Sequence, residues 1–149
     1  MSDTKSTVLV VDDVSENIEV MIGILEIDYV VKFALNGEKA LEIAAKEPKP
    51  DIILLDIMMP EMSGYEICEK LKQDESTLNI PVIFVTAFDD LRGELKGFEV
   101  GGVDYITKPV VPEIVMARVK THLKLKEVTE QLAQYSQRME KMLDDKLNL

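Results

Sequence analysis

Five short apolar runs, separated by longer segments of mixed polarity, limit what this chain can fold into more than any other feature. Several runs are rich in β-branched residues, and their apolar residues are nearly continuous rather than alternating. The runs are Thr7–Val11, Tyr29–Ala34, Ile52–Leu55, Val82–Val85 and Val103–Ile106. Such runs are typical of strands that are buried on both faces, as in a parallel sheet with helices on each side.

The segments between the runs carry apolar residues at the spacing of one helix face. Residues 18–25 and 64–71 place them at i, i+3, i+4 and i+7, and residues 91–98 carry a thinner stripe. Strand and helix thus alternate five times. The pattern predicts an α/β fold with a parallel sheet and right-handed crossovers.

Residues suited to helix ends lie where this alternation requires them. Ser15 and Asn36 are predicted to cap the first two helices, and Ser63 begins a capping box with the glutamate three residues later. Gly101-Gly102 is predicted to end the fourth helix. Pro112 suits the first turn of the fifth helix.

The charge of the chain separates it into two parts. The chain has 17 basic and 28 acidic residues among its 149, which gives a formal net charge of −11. Residues 124–149 hold five of each sign, so the whole excess lies in residues 1–123. We therefore expect a globular domain over 1–123 and an extended, neutral helical segment over 124–149.

Composition excludes several classes of partner and location. An acidic domain binds neither nucleic acid nor an anionic membrane surface well, so we expect no direct contact with either. The apolar runs are far shorter than the roughly 18 residues of a membrane span, and residues 1–10 do not resemble a signal peptide. Cys68 is the single cysteine, so no internal disulfide forms. We expect a cytoplasmic protein.

The last segment has the pattern of a coiled coil. From Pro112 onward there is no further proline and no glycine, which predicts a helix of about 36 residues, or roughly 54 Å. Its apolar residues are spaced 3, 4, 3, 4, 3: Leu125, Val128, Leu132, Tyr135, Met139 and Met142. A heptad seam of this kind favours pairing with another helix. Fraying, or folding back on its own domain, is the alternative.

Polar residues follow the predicted strands at the edge where ligands bind in doubly wound sheets. Asp12-Asp13 follow the first strand, Asp56 the third, Thr86 the fourth and Lys108 the fifth. Two charges about 4 Å apart repel by roughly 4 kcal/mol at an effective dielectric of 20, so three carboxylates there need neutralisation. Lys108 supplies one positive charge, and oxygen ligands suit Mg²⁺.

This set of groups fits phosphoryl transfer to a carboxylate. An attacking carboxylate must approach a phosphorus atom that is already surrounded by negative oxygens, so the site must cancel charge and hold the group in line. Two aspartates with a metal, a lysine ammonium and a threonine hydroxyl can do this together.

Four motifs in order resemble the receiver domain of two-component response regulators. They are VLVVDD at 8–13, DIILLDIMMPEMSG at 51–64, FVTAF at 84–88 and VDYITKP at 103–109. The resemblance covers residues 6 to about 122. It implies a flavodoxin-like (βα)₅ fold, doubly wound with strand order 2-1-3-4-5. It also implies that Asp56 accepts a phosphoryl group from a sensor histidine kinase.

The resemblance also implies a role for each matching residue at the metal site. Asp13 and Asp56 would ligate Mg²⁺ directly, the backbone carbonyl of Met58 would be the third protein ligand, and Asp12 would act through water. Lys108 would pair with Asp56 and then with the phosphate.

The remaining roles concern switching. Thr86 would turn toward the phosphoryl oxygen, and the ring of Tyr105 would follow it and become buried. The Lys108-Pro109 bond resembles the cis peptide of the family. Met58 and Phe88, each two residues beyond a site residue, are apolar and cannot orient a hydrolytic water, so we expect slow self-dephosphorylation and a persistent signal.

Phosphorylation would change the face formed by helix four, strand five and helix five. We expect it to control homodimerisation through the C-terminal helix, or a downstream output module such as a diguanylate cyclase outside these residues. An aspartate-nucleophile phosphatase is the alternative, but such enzymes place a second aspartate where Met58 stands. A flavin-binding relative of flavodoxin is a third, weaker reading. It would need a phosphate-binding loop rich in Ser, Thr and Gly after the first strand, where Asp12-Asp13 would repel a phosphate in the absence of a metal. We therefore expect a switch and not an enzyme.

Overall fold

A five-stranded parallel sheet forms the centre of the molecule, in a computed structural model that describes residues 4–87 and 91–148. The strands are β1 Thr7–Val11, β2 Val30–Ala34, β3 Ile52–Asp56, β4 Val82–Thr86 and β5 Asp104–Thr107. The helices are α1 Ser15–Leu25, α2 Gly37–Ala45, α3 Gly64–Gln73, α4 Leu91–Glu99 and α5 Pro112–Leu147. The sheet order β2-β1-β3-β4-β5 confirms the predicted fold.

Two apolar cores, one on each side of the sheet, explain why the strands read as continuous apolar runs. On one side Leu9 and Leu55 pack with residues of α2 and α3. On the other side Val8 and Leu54 pack with residues of α1 and with the first turns of α5. Successive side chains of a strand point to opposite faces, so every position of β1, β3 and β4 is apolar except Thr7, Asp56 and Thr86 at strand ends.

Helix termini follow the predictions with one exception. The Asn36 side chain accepts a hydrogen bond from the Lys39 backbone N–H, and Ser63 Oγ accepts one from that of Glu66. The prediction that Ser15 caps α1 was wrong. Ser15 is already the first helical residue, and Val14 is the capping residue without a side-chain bond.

The fifth helix is a single element of 36 residues, as predicted. Val115 and Val119 are fully buried against the sheet, whereas the six predicted seam residues from Leu125 to Met142 are 38–62% exposed. Pairing of this seam stays a prediction. Within the described residues, every helix is too short or too polar to span a lipid bilayer.

One ion pair joins α5 to the sheet at the edge where the strands begin. The acidic residues lie at the other edge, where the strands end. Lys126 Nζ lies 3.8 Å from Asp51 Oδ1 and 2.9 Å from Glu130 Oε1. Asp51, which immediately precedes β3, also accepts a hydrogen bond from the Thr7 N–H at 2.8 Å. The first turn of the exposed part of α5 is therefore held against the domain.

Candidate functional site

Three aspartates meet at the carboxyl edge of the sheet. One carboxylate oxygen from each of Asp12, Asp13 and Asp56 lies within 4.8 Å of the others. Asp12 and Asp56 are only 4% and 5% exposed, while Asp13 faces solvent. Asp12 follows β1 and Asp56 ends β3, and these two strands are neighbours in the sheet. The predicted convergence of these side chains is therefore present.

The ammonium group of Lys108 bridges the two buried carboxylates. Its Nζ donates to Asp12 Oδ2 at 3.0 Å and to Asp56 Oδ1 at 3.4 Å. The expectation had been a pair with Asp56, so the closer contact with Asp12 is a refinement. The Lys108 backbone N–H donates to the Thr86 carbonyl at 2.8 Å, and the Lys108-Pro109 bond is cis, as the resemblance implied.

Burial and charge shift the protonation of this cluster. Burial raises the pKa of Asp56 above its usual value, and the nearby negative charge of Asp12 raises it further, against the opposing effect of Lys108. Burial disfavours the charged form of Lys108, but the hydrogen bond to Asp12 and the charge of Asp56 raise its pKa overall. The ammonium of Lys108 therefore offsets only part of the burial cost and the mutual repulsion of the Asp12 and Asp56 carboxylates.

The cluster suits a hard divalent cation. Three carboxylates and one ammonium leave two negative charges uncompensated. The donors are all oxygens, and the exposure of Asp13 keeps the cluster open to water, which matches the preferences of Mg²⁺. Met58 lies two residues beyond Asp56, and its side chain is 62% exposed. A ligand role for the Met58 carbonyl remains a prediction.

The two predicted switch residues lie on neighbouring strands. Thr86 is the last residue of β4 and is buried, one position beyond the residue paired with Asp56. Tyr105 on β5 packs its ring 5.4 Å from that of Phe84 and 5.7 Å from that of Phe98. Its hydroxyl lies where a side chain at Gly97 of α4 would stand. Phe88, the other apolar position singled out, lies outside the described residues.

A second polar cluster on β5 and α5 was missed by the sequence analysis. Asp104 accepts hydrogen bonds from Arg118 at 3.1 and 3.2 Å and lies 2.9 Å from His122 Nε2. Burial opposes the ionised form of Asp104, but the bond from His122, the Tyr105 N–H and Arg118 lower its pKa overall. The i, i+4 spacing of Arg118 and His122 on one helix face was the available signal.

Cys68 has a structural role. It is fully buried in the core beneath α3, and burial raises the pKa of its thiol to about 11. Little thiolate forms near neutral pH, so Cys68 is not a nucleophile.

Several curated proteins match most of the chain. It is 46% identical over 123 residues to a Vibrio cholerae protein named "Probable cyclic di-GMP phosphodiesterase", covering 83% of this chain and 28% of that protein. It is 41% identical over 128 residues to the response regulator PleD of Caulobacter vibrioides, covering 85% and 28%. The chain thus spans less than a third of the length of either relative.

Solved structures and the family comparison agree with the fold. A receiver domain protein from Methanospirillum hungatei is 28% identical with a TM-score of 0.78, covering 85% of this chain and 99% of its own. The response regulator DrrB of Thermotoga maritima is 37% identical with a TM-score of 0.72, covering 83% of this chain and 54% of its own. Residues 8–120 match the response regulator receiver domain, and the chain belongs to that family.

Proposed function

We propose that this chain is a phosphoacceptor switch in which Asp56 receives a phosphoryl group from a sensor histidine kinase in a Mg²⁺-dependent reaction. The observation that carries the proposal is the meeting of three aspartates with Lys108 at one point of the sheet edge. Carboxylates held at 4.8 Å or less repel one another, and clusters of like charge with a shifted pKa are typical of functional sites. Membership of the receiver family supports the same role.

In the reaction, a carboxylate oxygen of Asp56 forms a bond to phosphorus while the bond from phosphorus to the histidine nitrogen of the donor breaks. The attacking group must be ionised, and the ammonium of Lys108 at 3.4 Å favours that state. After transfer, the same ammonium lies within reach of a phosphoryl oxygen. Thr86, at the end of the next strand, would donate its hydroxyl to another phosphoryl oxygen.

Mg²⁺ would be held by Asp13, Asp56 and the Met58 carbonyl, with Asp12 acting through water. When bound, the ion supplies positive charge that offsets the negative oxygens of the carboxylate and the phosphoryl group. Asp12 is oriented for an indirect role because its Oδ1 accepts the Val14 N–H at 2.9 Å while its Oδ2 binds Lys108.

A hollow beside the acidic cluster supports access by a protein donor. It has a volume of about 230 Å³ and is lined by Asp12 and Lys108 together with apolar residues of α1 and the loop before α5. Val20, one of the residues that line it, is 52% exposed. An apolar surface around a charged pocket fits a kinase domain that presents a phosphohistidine. A cytoplasmic location follows from this partner.

Incubation with acetyl phosphate and Mg²⁺ tests the acceptor role. We expect a mass gain of one phosphoryl group, about 80 Da, that is lost in Asp56→Asn and in the presence of a chelator. Glu61→Gln, a change in the same loop outside the cluster, is the matched control and should still be labelled. The absence of a mass gain in the wild-type chain would refute the proposal.

The same incubation separates a switch from an aspartate-nucleophile phosphatase. A switch releases phosphate slowly after one labelling event, whereas an enzyme releases it over many turnovers. The apolar Met58, where such enzymes place an acid or base, supports the switch. Steady release over many turnovers would favour the enzyme instead.

Control of assembly through α5 is the output that we propose. The seam from Leu125 to Met142 is exposed on a helix continuous with the domain, and a lone helix of this kind is marginal in water. Phosphorylation would act through Thr86 and Tyr105 on the face of α4, β5 and α5. In a longer protein we propose that the same switch controls a catalytic module, such as a diguanylate cyclase, and the match to part of a protein named "Probable cyclic di-GMP phosphodiesterase" supports a catalytic output.

Light scattering tests the assembly. We expect a dimer whose population rises with a beryllofluoride phosphoryl mimic and falls in Leu132→Glu, which places a charge in the seam. Gln134→Glu adds the same charge on the outer face of the helix and should leave the dimer intact. A monomeric wild-type chain under all conditions would remove homodimerisation from the proposal.

A further inference from the structure

A cavity of about 600 Å³ lies where the strands of the sheet begin, at the edge opposite Asp56. Pro81 and Val103, which line it, immediately precede β4 and β5, and its other side is formed by α5 between His122 and Ala133. Ligand-binding pockets of proteins have volumes of about 300–1,000 Å³. This cavity therefore has the size of a small-molecule site, and its walls belong to both the domain and the tail, residues 124–149.

Much of the wall of this cavity is apolar. Leu78, Val103 and Leu125 line it, and each of these side chains is exposed to solvent. Pro81 and Ala133 extend the same surface. Apolar side chains around one hollow lose contact with water when a ligand binds, which favours an occupant with an apolar body.

Lys72, near the end of α3, also lines the cavity. Its Nζ donates to the carbonyl oxygens of Leu78 at 2.9 Å and of Ile80 at 2.7 Å. An ammonium has three N–H donors, so one of them has no protein acceptor among the residues that the structure describes. Burial lowers the pKa of Lys72, against the opposing effect of Cys68. The charged form of Lys72 is therefore only partly compensated.

The other basic side chains of the cavity already have acidic partners. Lys126 Nζ lies 2.9 Å from Glu130 Oε1. His122 Nε2 lies 2.9 Å from Asp104 Oδ2. Within the part of the chain that the structure describes, no carboxylate lies within ion-pair distance of Lys72. A bound carboxylate would accept a charge-assisted hydrogen bond from Lys72, while the negative charge of Glu130 is already paired with Lys126.

We propose that this cavity binds a small carboxylate ligand with an alkyl chain, held by a hydrogen bond from Lys72 Nζ to the carboxylate. The chain is buried against Leu78, Val103 and Leu125. The site is separate from the phosphoacceptor cluster and does not depend on its function. Because the walls belong to α3, the loops before β4 and β5, and α5, a bound ligand also restrains α5 against the domain.

Amide NMR spectra of the full, isotopically labelled chain, titrated with sodium octanoate, test the site. We expect saturable shifts at the amides of Leu78, Asn79 and Val103, which line the cavity. The expected dissociation constant is about 1 mM, as ordinary ligand efficiencies give for a molecule of this size. Octylammonium carries the same chain with the opposite charge and should cause no saturable shift at these amides, because its charge would meet that of Lys72.

Substitutions of Lys72 separate its charge from its stem. Lys72→Met keeps a chain of similar length and removes the charge, so the affinity for octanoate should fall by at least about tenfold. Lys72→Arg keeps the charge and should retain binding. Lys70→Met removes an exposed charge from the same helix and is the matched control, which should bind as the wild type does.

A second variant covers the case in which Lys72→Met does not fold, since its ammonium also binds two carbonyl groups. Circular dichroism shows whether each variant is folded. Val103→Glu places a carboxylate in the exposed wall and should weaken octanoate binding by like-charge repulsion. Undiminished binding in folded Val103→Glu would exclude this wall from the site.

Three further results would overturn the proposal. The absence of saturable shifts up to about 10 mM octanoate excludes the site. Shifts confined to Val128, Leu132 and Met139, and lost in Leu132→Glu, assign octanoate to the seam of the tail instead. Equal affinity in Lys72→Met, or equal binding of octylammonium, leaves Lys72 with a structural role alone.

Discussion

Asp56 is held close to two other carboxylates with only one ammonium nearby. Burial and the charge of Asp12 raise its pKa, so the folded chain binds its proton more tightly than the unfolded chain does. Between the ordinary carboxyl pKa of 3.8 and the raised value, stability therefore falls as the pH rises. At neutral pH the ionised side chain destabilises the fold.

The variant Asp56→Asn should consequently unfold at a higher temperature than the wild type at pH 7 in a chelator, because it removes one of the buried like charges. The difference in melting temperature should shrink as the pH is lowered toward 3.8, where Asp56 becomes protonated. Thermal unfolding followed by circular dichroism measures both. A wild-type chain that is the more stable at pH 7 would contradict this account.

If Asp56 is phosphorylated as proposed, Met58 would determine what surrounds a water molecule that approaches it. Its exposed side chain has no group that orients such a water. In Met58→Asn the amide can do so, and we expect phosphate loss to be faster by about tenfold, below the 10²–10⁴ typical of full general base catalysis. Loss of the mass gain over time measures the half-life, and Met58→Leu is the control. An unchanged half-life in Met58→Asn would refute the role.

The sequence was sufficient to predict which residues lie at the site, but not which of their side chains contact each other. Asp12, Asp56 and Lys108 could be assigned to one edge because the strand ends were clear from the apolar runs. The closer contact of Lys108 with Asp12, 3.0 Å against 3.4 Å, depends on side-chain geometry that no motif encodes. The i, i+4 spacing of Arg118 and His122 puts these two side chains on one helix face, but it does not identify Asp104 on β5 as their partner.

At the scale of elements, α4 and β5 contact each other through a glycine. The ring and hydroxyl of Tyr105 occupy the space beside Gly97, and the buried ring of Phe84 borders the same space. A β-carbon at Gly97 would lie 2.7 Å from Tyr105 Cζ and 2.9 Å from Phe84 Cε2. The position of Tyr105 is therefore coupled to how closely α4 packs.

Two glycine substitutions in helices should have opposite effects. Gly97→Ala should lower the free energy of unfolding by about 1–3 kcal/mol, because the added methyl overpacks this contact. Gly23→Ala in α1 meets nothing within 4 Å and should raise it by about 0.5–1 kcal/mol through helix propensity. Urea denaturation measures both. A stabilised Gly97→Ala would show that the contact is loose.

Most element boundaries were predictable because apolar runs and capping residues coincide. The bounds of β1 agree fully with the predicted run, and the long α5 follows from a stretch without proline or glycine. Ser15 failed as a cap because α1 begins one residue earlier than the capping pattern indicated. Which of two neighbouring residues becomes the N-cap depends on the backbone conformation of the preceding loop. In that loop the Val14 N–H donates to Asp12 Oδ1.

At the scale of the whole molecule, we expect the acidic cluster to make stability depend on divalent cations, as the proposed function requires. With Mg²⁺ at about 100 times its dissociation constant, we expect a gain of about 2.7 kcal/mol in the free energy of unfolding. Asp13→Asn should lose most of that gain, since it removes an exposed ligand. Thermal unfolding in Mg²⁺ and in sodium chloride of equal ionic strength measures the specific effect. Equal melting temperatures in the two salts would argue against a metal site.

The division between a receiver domain over 1–123 and a helical segment over 124–149 remains a prediction. Leu123 packs against the core of the domain, and Leu125 is exposed, which supports a boundary near this point. Lys126 still contacts Asp51 of the domain, so the first turn of the tail does not move independently. Any such boundary therefore lies within the turn of α5 that contacts the domain through Leu123 and Lys126.

Because Lys126 contacts Asp51, a tilt of α5 about this turn would move the far end of the helix the most. From Lys126 to its end the helix extends about 32 Å. A tilt of only 5° at the pivot would carry the tip through roughly 3 Å, the scale on which side chains of a coiled coil exchange partners. Asp51 and Asp56 bracket the same strand, so the pivot and the pocket are five residues apart.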